Sequence, residues 1–281
     1  GLCFGLLPVF NRLAAAQGLG VPTLLGLRFL VAGAALWAWL LLRGEPLALT
    51  GRQRLGFIFM GLLYVFESGL YFLSSRRIPG ALTALLLYLY PALVAIWEWA
   101  AGRHPLKGRG LLALLCSLAG TALAVGSPGK GTDPMGLAMG LMTALGYTVY
   151  MVVGAKLQKG ASALLSSAWI MASAGLVFLA IALAGRNWQP AVALQAWKPL
   201  LGLIVICTVL PIPLLLAGMA RIGAARASVM STLEPLGAAA FGALILGEWL
   251  RPLQWTGGAL ILAAVVLLSF ERSEAEPLPE H

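Results

Sequence analysis

Three ionisable side chains stand where water should be absent: Arg28, Glu67 and Glu234 each fall inside a long apolar stretch of this chain. A charge in hydrocarbon is costly unless it is paired or wetted, so each needs an account. Tyr64, Glu67 and Tyr71 recur at i, i+3 and i+7, which places two phenols and a carboxyl on one helical face. Tyr147 and Tyr150 share a face of a second segment, and Tyr88 and Tyr90 precede Pro91 in a third. A cavity lined by phenols and one or two carboxyls suits a small solute with an apolar body and an amine. The competing account is that Tyr and Trp gather at membrane interfaces. Trp188, Trp197, Trp249 and Trp255, near segment ends, read that way.

Arg28 and Glu67 each sit seven or eight residues in from one end of their segments, roughly 10–12 Å deep at 1.5 Å per residue. They could meet as a structural ion pair. Alternatively, Glu67 faces the cavity and Arg28 poises it to hold an amine or a proton. Glu234 stands immediately before Pro235 near the middle of its segment, and a carboxyl desolvated there suits proton exchange, solute binding or packing alone. Proline frees a carbonyl in the preceding turn, which is tolerated where a cavity or a neighbouring helix satisfies it. Pro91 and Pro235 therefore mark weak points, and Pro211 with Pro213 reads as a hinge or a plain kink. Lys156 and Arg12 lie near segment ends, where they either snorkel or act at a gate.

The elements that must position these residues are helices in a bilayer. Hydrophobic residues make up 60% of the chain and charged ones 10%, against about a quarter charged in a soluble domain; the mean hydropathy is +0.91. Apolar runs occur at 1–16, 21–42, 54–75, 79–101, 108–126, 134–157, 162–184, 197–219, 223–249 and 252–270. A spanning helix needs about 20 apolar residues, so the pattern predicts an all-α integral membrane protein with ten transmembrane helices. The runs lack the alternation of a β-barrel, and no room remains for an enzymatic domain outside the membrane. The chain opens inside an apolar stretch without an initiator Met, so the reading expects a truncated N-terminus.

A shift of 144 residues superimposes Arg77-Ile78 on Arg221-Ile222, Leu89 on Leu233 and Pro91 on Pro235. Repeats of 1–126 and 134–270 follow, with 271–281 as a polar tail. Five helices per copy is an odd number, so the second copy must enter from the opposite side, and the halves are expected to be inverted. Under that shift Ala172 and Pro211 replace Arg28 and Glu67; the two charges are absent together, as an ion pair would require. The loops after the even-numbered runs, with the tail, carry eleven of the 19 Lys and Arg, against seven on the other side. The positive-inside rule then puts both termini in the cytoplasm.

The net charge of +9 sits mostly between apolar runs, where cations orient helices and meet lipid head groups; nucleic acid is a poor reading. Cys3, Cys116 and Cys207 have no paired spacing, and the two histidines lie at His104 and His281, so neither a metal site nor a cofactor is expected. The stretch 126–132 resembles a phosphate loop, but Gly131 follows Lys130 where Ser or Thr is needed. Gly1 to Gly5 and Gly136 to Gly140 fit the spacing of close helix packing.

Leu27-Arg28-Phe29-Leu30, Leu87 to Leu93, Leu233-Glu234-Pro235-Leu236, Leu246-Gly247-Glu248, and Gln254 with Gly257-Gly258 together resemble the EamA-type ten-helix proteins of the drug/metabolite transporter superfamily. The first half departs at Gly102-Arg103-His104-Pro105, where the family has a Gly-Glu pair like Gly247-Glu248. The resemblance implies a bacterial-type plasma-membrane carrier, not an enzyme, exporting small metabolites by alternating access. Amino acids, aromatic and neutral ones included, are the expected class; the residues leave open proton coupling or facilitated diffusion, and a monomer or a larger assembly. Phosphorylated-metabolite, nucleotide-sugar or lipid-linked carriers and flippases belong to the same superfamily. They need several cations in the cavity, which this sequence does not offer.

Overall fold

The computed structural model describes residues 2–101, 108–125, 133–158, 161–215, 217 and 233–275, with the side chains of 98, 109, 124–125, 155, 233, 235 and 268–275 excepted. Stretch 126–132, Gly102 to Pro105, Arg221-Ile222 and the tail beyond 275 lie outside these residues, as does the side chain of Pro235. The described structure is helical. In order come α1 Leu2–Gly5, α2 Leu7–Ala16, α3 Val21–Arg43, α4 Gly51–Ser75, α5 Gly80–Leu87, α6 Tyr90–Ala100 and α7 Gly108–Val125. They are followed by α8 Pro134–Leu157, α9 Ala163–Ala184, α10 Pro190–Gln195, α11 Trp197–Ile204, α12 Leu233–Phe241 and α13 Pro252–Ala275. Two π-helical turns, Val205–Val209 and Gly242–Leu246, continue α11 and α12.

Among the described residues, six stretches are long and apolar enough to span a membrane: Val21–Arg43, Gly51–Ser75, Gly80–Trp97, Pro134–Gly154, Ala163–Ala184 and Trp197–Leu215. Shorter apolar helices cover Leu2–Ala16, Gly110–Leu123, Leu236–Leu246 and Pro252–Leu267. These ten match the ten runs of the sequence. Helix starts follow local chemistry: Thr50 and Gln53 form a capping box on α4, Asp133 accepts from Met135 and Gly136 N–H at the start of α8, and Ser162 caps α9. Each satisfies donors that the first turn leaves open. Three details depart from the runs. The fourth is two helices, broken at Tyr88-Leu89 just before Pro91; the short α10 was not foreseen; and α13 continues to Ala275, into the segment read as a polar tail.

The helices pair in a definite pattern. α3 packs on α9, α7 on α13, α4 on α8 and α9, α1 on α12, α5 and α6 on α8, and α11 on α2 and α3. Small residues set the closest approaches, because apolar side chains gain nothing by leaving lipid and close van der Waals packing must hold the helices. A Cβ at Gly5 would stand 2.8–2.9 Å from backbone atoms of Gly237 and Ala238. One at Gly136 would meet Ile78 and Arg77, and one at Gly140 would meet Leu86. Gly5, Gly136 and Gly140 are packing sites, as their spacing implies, and Gly1 lies outside the described residues.

Gly5→Leu should therefore force α1 from α12 and lower the thermal midpoint of the detergent-solubilised protein, overpacking costing about 1–3 kcal/mol. Gly51→Ala, whose added Cβ meets open space, should leave the midpoint unchanged.

Candidate functional site

Arg28 shows what the helix breaks do. Pro211 has no N–H, so the carbonyl four residues earlier, that of Cys207, loses its helical donor. The Arg28 Nη2 donates to that carbonyl at 3.2 Å and its Nε to Thr208 Oγ1 at 2.7 Å. The guanidinium lies 4.7 Å from the ring centre of Phe29 and 5.3 Å from that of Phe72, and the residue is 1% exposed. The expected ion pair between Arg28 and Glu67 is therefore corrected: Arg28 turns from α3 to the bent helix around Pro211, because a freed carbonyl in hydrocarbon needs a donor. Among the described residues the ion pairs are Arg12–Glu248 and Arg77–Asp133.

Glu67 stays in the interior at 6% exposure, and among the described residues its carboxyl has no hydrogen-bond or ion-pair partner. Glu234, 7% exposed, accepts a long hydrogen bond of 3.4 Å from the Tyr88 hydroxyl. Around them runs a ladder of rings: Phe29 to Tyr64 at 5.3 Å, Tyr64 to Tyr150 at 5.4 Å, Tyr150 to Tyr147 at 5.7 Å, Tyr147 to Tyr90 at 4.8 Å and Tyr90 to Tyr88 at 5.9 Å. These are the separations at which aromatic pairs attract. Tyr71 sits beside Phe72 at 6.0 Å, and its hydroxyl is buried without a hydrogen-bond partner. All six tyrosines of the chain thus lie in the interior rather than in an interfacial belt. Trp197, Trp249 and Trp255 are exposed, while Trp188 is partly buried.

The prolines fall as follows. Pro91 starts α6 directly after the break in the fourth run. Pro211 and Pro213 follow the π-helical turn Val205–Val209, whose Thr208 Oγ1 donates back to Leu203 O at 2.7 Å.

Arg12 lies at one end of the bundle and is joined to several segments. Its Nε donates to Ser75 O at 2.6 Å, its Nη2 to Ile78 O at 2.8 Å, and the Glu248 Oε1 stands 3.3 Å from Nε. The other carboxylate oxygen of Glu248 accepts the Gly80 N–H at 3.0 Å, at the positive start of α5. Gly247, in the left-handed region at φ 67°, closes the π-helical turn immediately before Glu248. Nearby, Asn11 donates to Phe72 O and Ser75 Oγ, and Arg76 donates to Asn11 Oδ1 and Leu19 O. Burial, and then the charge of Arg12, pushes Arg76 down to about 10, so it stays cationic at neutral pH. The Gly20 N–H donates to Gln189 Oε1, and Thr23 Oγ1 donates to Asn187 O. Arg77 hydrogen-bonds Asp133 at 2.8 Å and holds that carboxyl below its ordinary range. Lys156 is exposed at the opposite end of α8, away from this lacing. Asn11, Arg76 and Glu248 were not singled out as site residues by the sequence, although a buried Asn within an apolar run was a readable signal.

A bundle of spanning helices around buried carboxyls and phenols is the build of a membrane carrier. The EamA-like transporter family matches residues 1–126 and again 134–270, and this chain belongs to that family. It is a non-enzymatic, multi-pass membrane transporter. It is 30% identical to an uncharacterized inner membrane transporter, YicL, of Salmonella typhimurium, over 87% of this chain and 84% of that one. It is 29% identical to an uncharacterized transporter of Archaeoglobus fulgidus over 70% of each chain, and 22% identical to protein PecM of Dickeya dadantii over 97% of this chain and 88% of that one. A solved crystal structure shares the fold with a TM-score of 0.68 at 19% identity, covering 96% and 94% of the two chains.

Arg28→Ala should lower stability by about 1–3 kcal/mol for the carbonyl it orphans. The loss should shrink in a Pro211→Ala background, where a backbone N–H returns to Cys207 O. Thermal melts of the four proteins test this; additive losses would show that Arg28 does not serve that carbonyl.

Proposed function

We propose that the chain is a secondary carrier that exports small metabolites, amino acids foremost, by rocking two inverted five-helix halves, 1–126 and 134–270, about the acidic interior. The observation that carries this is the interior itself, which draws Tyr64, Glu67, Tyr71, Tyr88 and Tyr90 from one half and Tyr147, Tyr150 and Glu234 from the other. A site shared by two halves near mid-membrane is what alternating access uses. The helix pairings support the two-fold relation. Exchanging the halves maps α3 with α9 and α7 with α13 onto themselves, α1 with α12 onto α8 with α5 and α6, and α2 with α11 onto α8 with α4.

Both termini are assigned to the cytoplasm on the loop charges, so the Arg12 end faces outward. Its lacing, centred on Arg12 and Glu248, closes the outer gate in this conformation, and Pro91, Pro211, Pro213 and Pro235 provide the bending points. The exposed position of Lys156 supports lipid or solvent contact rather than gating. Glu67 and Glu234 are the groups able to exchange protons, and the interior is complete within one copy, in keeping with a monomer in a bacterial-type inner membrane. A carrier of phosphorylated or lipid-linked solutes is disfavoured, because Arg28 is already engaged and Arg12 is held at the gate.

Proteoliposomes should exchange tryptophan or threonine, and silence across a broad metabolite panel would sink the reading. Glu234→Gln should cut the transport rate at least tenfold while keeping the thermal midpoint within a few degrees. Wild-type rates with an unchanged pH-gradient dependence would remove Glu234 from the mechanism.

A further inference from the structure

We propose that the Arg12 end of the bundle carries a binding site for an anionic phospholipid, whose phosphate is held by Arg77 and Arg251 beside the start of α13. The site lies apart from the acidic interior, and its ligand is a component of the membrane rather than a transported solute.

A cavity of about 230 Å³ opens there between two chain segments. The loop ahead of α5 supplies Arg77, Ile78 and Pro79, with Leu82 from the first turn of that helix. The link from the π-helical turn Gly242–Leu246 into α13 supplies Trp249 and Arg251, with Gln254 from the first turn of α13. Ile78 and Leu82 are buried while Arg77, Trp249 and Arg251 are exposed, so the apolar wall lies inside and the cations at the rim. Guanidinium groups present planar forks of donors that match a phosphate. Gln254 Oε1 accepts the Arg251 N–H at 2.9 Å, which leaves its Nε2 donors for a ligand. A helix of 24 residues begins at Pro252 and adds the positive end of its dipole.

Helix ends place the cavity at head-group depth: α4 ends at Ser75, α8 starts at Pro134 and α13 at Pro252. Tryptophan gathers at that depth, and basic pockets between spanning helices take lipid head groups. The segments that carry the cavity also present Leu244, Ile245, Leu253 and Trp255 at the surface, where acyl chains lie. The nearby carboxylates are already answered. Asp133 Oδ2 accepts from Arg77 at 2.8 Å, its Oδ1 accepts from the Met135 and Gly136 N–H groups, and Glu248 is paired with Arg12. Arg251 therefore adds a positive charge beyond these pairs, which suits a head group of net negative charge and opposes the ammonium of a zwitterionic one. The cavity wall is also the turn that Arg12 and Glu248 hold, through Ile78 O and the Gly80 N–H. A lipid seated between Arg77 and Arg251 joins that turn to the start of α13, and binding to the folded state raises stability.

Native mass spectrometry and thermal melts of the detergent-solubilised full chain, titrated with phosphatidylglycerol or with phosphatidylcholine of the same acyl chains, test the site. Phosphatidylglycerol should be retained at least fivefold more often, and should raise the thermal midpoint where phosphatidylcholine does not. Arg251→Gln should cut that preference at least threefold, and Arg77→Gln combined with Arg251→Gln should abolish it. Arg43→Gln, at an exposed arginine on the opposite end of the bundle, should leave it unchanged. Should the double variant fail to fold, Arg251→Gln and Arg43→Gln carry the test, since both side chains are exposed. No preference in the wild type, a preference that survives Arg251→Gln, or one lost equally with Arg43→Gln overturns the proposal. Inorganic phosphate raising the midpoint as far as phosphatidylglycerol does would assign the two arginines to a free anion and overturn the lipid.

Discussion

In hydrocarbon a backbone carbonyl without a donor has no water to turn to, and that constraint organises the centre of this protein. Pro211 opens the eighth span, and Arg28 reaches from the second to close it. The guanidinium Nε and Nη2 bond Thr208 and the Cys207 carbonyl, and among the described residues it forms no ion pair with Glu67. One unmet hydrogen bond in the second half is thereby met by a side chain of the first.

Around that centre the bundle is held by contact rather than by water exclusion, since lipid is as apolar as the helices. Gly5 lets α1 touch the backbone of α12, and Gly136 and Gly140 admit Ile78 and Leu86. Polar bonds between distant segments are spent mostly at the Arg12 end, where Asn11, Arg12 and Arg76 satisfy the carbonyls that end helices and turns. The Arg12 end is thus laced by polar bonds, whereas the described interior around Glu67 and Glu234 carries few.

The sequence made the ten runs legible because apolar length alone decides them, and it made Glu67, Glu234 and the tyrosines legible because buried polarity is rare there. It failed where a backbone consequence had to be matched with a distant side chain. The freed carbonyl at Cys207 was implied by Pro211, yet nothing in the chain says that residue 28, rather than any other donor, meets it. Glu248 was read as a family feature without a task, since its task depends on Gly80, 168 positions away. The break at Tyr88-Leu89 hid inside a uniformly apolar run, and helical periodicity carried α13 past the composition change at 271.

The Gly247-Glu248 pair has no counterpart at Gly102-Arg103, so a molecule that swaps the roles of its halves cannot rebuild the same clasp on the other side. In the reading proposed above, the two facing states are consequently unequal in energy even without solute. A partly solvated ion pair such as Arg12–Glu248 is worth up to about 1 kcal/mol, or roughly a fivefold bias in population. An inverted repeat with one unmatched carboxylate behaves as a sprung door: it has a side on which it rests, and the solute's binding energy must work against that preference on every cycle.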